Sequence, residues 1–463
     1  MTQLKDKFVL VLGLGETGLS MLRWLSAQGA RLRVADSRSE PPGLAEAGQH
    51  VAAGQIFCGA FGDVLFEGID LIAISPGIPL ADPFVQRAAA RGIPVVGDIE
   101  LFAQQLTAND LRLTTKVIAI TGANGKTTVT SMVEHMCKAA GKDAVAAGNI
   151  SPAVLDAVLA RGAKQPEVWV LELSSFQLET TATLNADAAT VLNISEDHLD
   201  RYAGIDEYAA AKARIFMGCG VQVLNRDDAR SMGMALPGRE VATFGLDVSS
   251  DERDFGVERD GGNIWLMQGD QRLLKVSDLQ IAGMHNVANA LAALALCRAI
   301  DLPMPALLDA LRSFRGLPHR VERVAEIDGV VYYDDSKGTN VGATVAALEG
   351  LGRKVVLLAG GEGKGQDFAP LKPAVTQHAR AVVLIGRDAP LIASALEGCG
   401  VPLLHVKNMN DAVRQAAQLA QAGDAVLLSP ACASFDMFRN YAHRAEIFVE
   451  AVHELIKEAA WSR

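Results

Sequence analysis

The segment Lys116-Val-Ile-Ala-Ile-Thr-Gly-Ala-Asn-Gly-Lys-Thr-Thr128 decides the reading of this chain. A short apolar run ends in glycines and Lys-Thr-Thr then opens a helix-like stretch, the strand–loop–helix context of a phosphate cradle. Gly122 and Gly125 let the backbone turn its N–H groups inward, Lys126 can set an ammonium on the outer phosphates, and the Thr127 hydroxyl can hold Mg²⁺. Only Ala123 and Asn124 separate the first glycine from the Gly-Lys pair, a shorter spacer than the usual loop has. An ordinary glycine-rich turn is the competing reading.

Working outward, short β-branched runs alternate with helical stretches on both sides. Phe8–Leu12, Leu32–Ala35, Leu71–Ile74 and Pro94–Val96 precede the segment as strand candidates, while Ala144–Ala147, Val168–Leu173, Ala188–Leu192 and Val221–Leu224 follow it. Val241–Asp247 and Ile264–Val276, around the turn Asp260-Gly-Gly262, suggest an antiparallel appendage. A third series follows at Val330–Tyr333, Lys354–Ala359, Ala381–Ile385, Leu403–Val406 and Ala425–Leu428. The pattern is α/β with mostly parallel sheets. At about 150 residues per domain, 463 residues make about three. Polar stretches at Leu106–Thr115 and Phe314–Arg320 divide them, giving expected domains 1–108, 109–316 and 317–463.

Composition bounds the function. With 49% hydrophobic and 21% charged residues the chain fits the soluble globular class, and a formal charge of −11 disfavours generic binding to nucleic acid or an anionic membrane. No apolar stretch reaches the length of a membrane span, and Phe8–Leu12 runs at once into glycines, as a first strand does and a signal peptide does not. Six scattered cysteines without a C-x-x-C pair imply a reducing compartment, so a cytoplasmic protein is expected.

Strand ends carry the candidate chemistry. Gly13-Leu-Gly-Glu-Thr-Gly18 after the first strand, with Asp36 ending the second and Arg38 beside it, marks a nucleotide-diphosphate site; the spacing alone also fits NAD. Ser75-Pro-Gly77 can close that pocket or be a plain turn. In the middle series, Glu172, Asn193 and Asp197-His198 stand at neighbouring strand ends, where a carboxylate and an imidazole can hold a divalent ion beside phosphates. Three polar loops follow strands of the last series: Asp334-Asp-Ser-Lys-Gly-Thr-Asn340, Gly360-Gly-Glu-Gly-Lys-Gly365 and Ser429-Pro-Ala-Cys-Ala-Ser-Phe435. Together they suggest one binding face, with Lys364 for a carboxylate and Lys337 for phosphate.

Taken together, Thr121–Thr128, Leu171-Glu-Leu-Ser-Ser-Phe-Gln177, Asp197-His-Leu-Asp-Arg201, Asp335–Asn340 and Ser429–Asp436 resemble the Mur ligases of peptidoglycan synthesis, most of all the D-glutamate-adding branch. The short spacer is usual in that family's ATP loop; Ala123 and Gly338 are small departures. The resemblance covers nearly the whole chain. It implies Rossmann-like first and last domains around a central P-loop ATPase, and an ATP-dependent ligase joining D-glutamate to UDP-N-acetylmuramoyl-L-alanine. It assigns ATP to Gly122, Asn124, Gly125, Lys126, Thr127, Thr128, Asn286, Arg320, Asp335 and Lys337. The uridine-linked substrate falls to Gly15, Thr17, Asp36, Ser37, Arg38, Gly77, Asn149, Ser174 and His198, and D-glutamate to Thr339, Lys364, Ser434, Phe435 and Tyr441. Two Mg²⁺ ions are implied at Thr127, Glu172, His198 and Lys212, the last as a CO₂-derived carbamate; nothing in the spacing singles out Lys212. Lys126, Lys212, His198 and Glu172 are thereby the implied catalytic set, in a monomer with no nucleic-acid or membrane partner.

Overall fold

The computed structural model describes residues 4–108, 114–197 and 201–461. Its first sheet contains β1 (Phe8–Leu12), β2 (Arg31–Asp36), β3 (Ile56–Cys58), β4 (Leu71–Ile74) and β5 (Val95–Val96), all parallel, in the order β3-β2-β1-β4-β5. The order reverses at β1, so the loops after β1 and β4 face one another across the switch point where such sheets bind ligands.

The second sheet begins with β6 (Lys116–Thr121), β7 (Ala144–Gly148), β8 (Val168–Glu172), β9 (Ala188–Val191) and β10 (Val221–Asn225). It continues through β11 (Val241–Phe244), β12 (Phe255–Asp260), β13 (Asn263–Gln268) and β14 (Gln271–Lys275), in the order β14-β13-β12-β11-β10-β9-β6-β8-β7. The central place of β6 follows from its apolar stretch Val117–Ile120, buried on both faces. The expected antiparallel appendage is smaller than Val241–Val276: β11 joins β10 in parallel, and only β12, β13 and β14 pair antiparallel. Ile264–Val276 is also two strands, parted at Gly269, whose φ of +50° turns the chain.

The third sheet holds β15 (Glu322–Ile327), β16 (Val330–Asp334), β17 (Val355–Gly360), β18 (Ala379–Ile385), β19 (Leu403–His405) and β20 (Ala425–Leu428), in the order β15-β16-β20-β17-β18-β19. It is parallel except for β15, which pairs antiparallel with β16 at the edge.

The first two sheets share a core. The helix Asp98–Ala108 lies between them: Phe102 meets the Trp169 ring edge-on at 5.3 Å between centroids, and Trp24 Nε1 donates to Gln105 at 2.8 Å. Glu100 accepts from the N–H groups of Ala182 and Thr183 at 2.7 and 2.9 Å. One continuous apolar cluster runs from Val9 and Trp24 through Phe102 to Trp169 and Leu171. The third sheet has its own core, centred on Leu357, Leu384 and Leu427. No helix among the described residues is long and apolar enough to cross a membrane.

Candidate active site

A cavity of about 560 Å³ opens at the switch point of the first sheet, lined by Gly15, Thr17, Asp36, Ser37, Arg38, Gly77 and Asn149, among others. Seven of the residues expected to hold the uridine-linked substrate therefore meet in one place. Asp36 is buried; its carboxylate accepts from Leu14 N–H at 2.7 Å and from Arg38 Nε and Nη2 at 2.8 and 2.7 Å. Those bonds, that from the Arg38 guanidinium foremost, hold its pKa down at about 2. Because the folded pKa lies below the ordinary 3.8, this stabilisation is present above pH 3.8 and is lost as the pH falls towards 2. The stabilisation is at most ~2 kcal/mol and less after screening, since Arg38 is half exposed. Asp36→Asn is expected to flatten that acid limb of the stability curve, seen by denaturant melts at several pH values, and to weaken uridine-nucleotide binding about tenfold.

Ser174 lines neither this cavity nor the larger one described next. Its hydroxyl accepts from Gln177 N–H at 3.1 Å and Gln177 Oε1 accepts from Ser174 N–H at 3.0 Å, a capping box that commits the side chain to the helix Ser175–Glu179.

The larger cavity, about 1030 Å³, lies between the second and third sheets. From the middle domain come Asn124 to Thr128, Glu172, Asn193 and Asn286; from the third domain come Arg320, Asp335, Lys337, Thr339 and Tyr441. Gly125 has φ +84° at the start of the helix Lys126–Ala139, and a β-carbon there would stand 2.6 Å from Asn289 Oδ1. Glycine is required on both counts. The loop is fixed from below: Asn193 Oδ1 accepts from Asn124 N–H at 2.8 Å, and the Asn193 carbonyl accepts from Ala123 N–H at 2.9 Å. Lys126 Nζ curls back to donate to the carbonyls of Gly122 and Ala123 at 2.8 and 2.9 Å. Burial lowers its pKa, opposed by the nearby Glu172 and Asp197 carboxylates.

Glu172 supplies the test of a metal. Buried at the end of β8, it accepts from Asn149 Nδ2 at 2.7 Å through Oε1, while Oε2 has no hydrogen-bond partner among the described residues. A buried carboxylate oxygen without a donor fits a hard cation. Lys212 is buried below the loop; its Nζ donates to the Gly122 carbonyl at 2.9 Å and to Thr121 Oγ1 at 3.3 Å and lies 4.6 Å from the Tyr208 ring centroid. Burial, with Lys126 nearby, pushes its pKa well below the ordinary lysine value. His198 lies outside the described residues.

Arg320 departs from a simple phosphate-binding picture. Its Nη2 donates to Thr127 Oγ1 at 2.6 Å, so the hydroxyl expected to hold Mg²⁺ is engaged by a cation from the third domain. The turn presenting it is strained: Val321, a β-branched residue, has φ +51°, and His319 has φ +63° with its Nδ1 donating to Asp334 at 2.6 Å. Asp335 accepts from Ser429 Oγ at 2.7 Å, and burial raises its pKa to about 7. Lys337, 3.9 Å from the Tyr441 ring centroid, is lowered to about 8 by burial and then by Arg320.

The expected D-glutamate set is divided. Thr339 and Tyr441 line the cavity, whereas Lys364, Ser434 and the exposed Phe435 do not. The glycine-rich loop is pinned elsewhere: Glu362 pairs with Ala433, and Gly363 N–H donates to Asp388 at 2.7 Å. That pairing sets the Lys364 loop beside the Ser434 loop, near enough for Lys364 to lower the Lys337 pKa. His285, Asn289 and Ser195 also line or support the cavity, and no spacing rule singles them out.

Three family models match successive parts of the chain: a Mur ligase MurD-like N-terminal domain at residues 7–97, the Mur ligase middle domain at 120–297 and the Mur ligase glutamate ligase domain at 319–432. A curated UDP-N-acetylmuramoylalanine–D-glutamate ligase of Nitrosospira multiformis is 59% identical over 98% of this chain and 96% of its own. The chain belongs to the Mur ligase family. A relative of the same name from Methylobacillus flagellatus is 61% identical over 99% of both chains. Among solved structures, a UDP-N-acetylmuramate-alanine ligase of Thermotoga maritima matches with a TM-score of 0.58 at 20% identity, covering 97% of this chain and 99% of its own. A second Mur ligase structure, from Acinetobacter baumannii, matches with a TM-score of 0.59 at 17% identity over 96% of this chain and 91% of its own. At those identities the two establish the fold.

Proposed function

We propose that this Mur ligase joins the L-alanine carboxylate of UDP-N-acetylmuramoyl-L-alanine to the amine of D-glutamate, with ATP cleaved to ADP and phosphate, in cytoplasmic peptidoglycan-precursor synthesis. The observation that carries the reading is the single cavity in which the Lys126 loop, Glu172 and the third-domain residues Arg320, Lys337 and Thr339 face one another, beside the Asp36 cavity that shares Asn149. The near-full-length likeness to named D-glutamate ligases supports the choice of amino acid.

A carboxylate is a poor electrophile, so it must first take the γ-phosphoryl group of ATP; the acyl phosphate then has a leaving group that the D-glutamate amine displaces through a tetrahedral intermediate. The first step brings two anions together. Lys126, released from the Gly122 and Ala123 carbonyls, would neutralise the phosphates, and Arg320 would move from Thr127 onto them. Closure of the third domain over the phosphate loop would exclude water from the acyl phosphate. Glu172, Thr127 and a carboxylated Lys212 would hold Mg²⁺, two ions in all with His198, which would supply charge screening at the transferred phosphoryl group. Thr339 and Tyr441, joined by Lys364, Ser434 and Phe435 from the neighbouring loops, would receive D-glutamate. The reading includes a monomer divided at 1–108, 109–316 and 317–463.

Measuring ADP release with D-glutamate, L-glutamate, L-lysine and meso-diaminopimelate tests reaction class and amino acid together. Turnover is expected only with D-glutamate and only when UDP-N-acetylmuramoyl-L-alanine is present. Release with another amino acid instead would reassign the third domain.

A further inference from the structure

Apart from the Arg320–Thr127 bond, the third domain meets the middle domain along the helix Val341–Gly350. At its start the Asn340 side chain caps the helix by accepting from Ala343 N–H at 2.9 Å, and its Nδ2 donates to Asn124 Oδ1 of the phosphate loop at 3.1 Å. Gly342 allows this approach, since a β-carbon there would stand 3.1 Å from Ser195 Oγ and 3.2 Å from Asn124 Nδ2. In the second half of the helix, His285 Nδ1 lies 3.2 Å from the Ala346 carbonyl oxygen. A carbonyl only accepts, so Nδ1 carries the proton.

The imidazole is held between glycines of two domains. A β-carbon on Gly283 would stand 2.6 Å from its Cε1, and one on Gly350 would stand 2.8 Å from its Nδ1 and 3.2 Å from Gly283 Cα. His285 also opens the buried helix Met284–Arg298 next to Asn286, and both residues line the larger cavity. The ring thus touches the nucleotide cavity on one side and the domain that carries Thr339 on the other.

We propose that His285 is a positioning residue for ligation, clasping the end of the helix Val341–Gly350 opposite Asn340 so that the Thr339 loop and the phosphate loop are held in register. This rests on the ATP and D-glutamate reading above. The helix is tied to the middle domain at Asn124 and, towards its C-terminal end, at His285, so loss of the His285 tie leaves the third domain held there through Asn124 and Arg320 alone.

Three variants separate the donor from the volume. His285→Phe keeps a ring and loses the N–H; His285→Asn keeps a donor. Gly350→Ala changes neither the ring nor the helical backbone, which alanine adopts freely, and acts only through the close approach. The D-glutamate KM is expected to rise about tenfold in His285→Phe and Gly350→Ala with a smaller change in kcat, and to recover largely in His285→Asn. Hydrogen exchange on the ligand-free chains is expected to quicken across residues 341–350 in the same two variants. Unchanged KM and exchange in both would overturn the clasp; faster exchange with an unchanged KM would leave a structural contact and overturn the positioning role. A wild-type chain with no D-glutamate-dependent ADP release would instead remove the functional reading, while the exchange measurement still decides whether the clasp exists.

Discussion

Replacing Lys126 by alanine is expected to reduce ADP formation by roughly 10³-fold or more while the chain remains folded. The magnitude follows from the position of the ammonium, at the N-terminus of its helix and near the buried Glu172 carboxylate, where it would neutralise phosphate charge. Stability should change little. Lys126 donates to two carbonyls of its own loop, and burial, which lowers its pKa, opposes its charge there. The loop is built by Gly122, Gly125 and the Asn193 contacts, none of which the substitution removes. Thermal melts beside an ADP-release assay check both halves; turnover at the wild-type rate would dismiss the phosphate-cradle assignment.

Lys212→Ala is expected to lower turnover by roughly 10²- to 10³-fold, and added formate or acetate to restore part of it. A buried amine with a depressed pKa spends more of its time neutral, and only the neutral amine can attack CO₂ to form a carbamate. Carboxylation would turn this buried amine into an anion close to Glu172, and the two groups together would offer oxygen donors suited to a hard cation. Alanine leaves a cavity beside Tyr208 that a small carboxylate can enter and in part replace. Full activity without additive would rule out the carbamate, and loss without any recovery would assign Lys212 a packing role.

Much of this was legible in the residues, for identifiable reasons. The buried parallel strands β1, β6, β8, β17 and β20 are unbroken apolar runs, and a glycine or polar residue ends each where the sheet meets ligand. The edge strands β5, β7 and β19 were legible as short apolar runs, but two others, β3 and β15, were not. β15 mixes charged with apolar residues and is largely half-buried or exposed, and β3 has three residues, so neither has the pattern of a strand covered on both faces. The nucleotide loop and the Asp36–Arg38 pair were readable because each is local in sequence. Contacts between parts of the chain far apart in sequence were not: no spacing places Arg320 on Thr127 or Asn340 on Asn124 across two domains, or Lys212 beneath Gly122 within one. Ser174 shows the opposite failure, a serine at a strand end whose hydroxyl is engaged by the helix it caps.

The helix Asp98–Ala108 carries a practical consequence for small molecules directed at this protein. Because Phe102 against Trp169 and Glu100 against Ala182 and Thr183 join the first two sheets through one core, the Asp36 cavity and Glu172 belong to a single surface. An inhibitor that spans those two features meets a shape already set before it arrives and spends little of its affinity on ordering the target. One that reaches across to Lys337 or Thr339 must also fix the seat of the third domain, so its potency would vary with whatever else occupies the site.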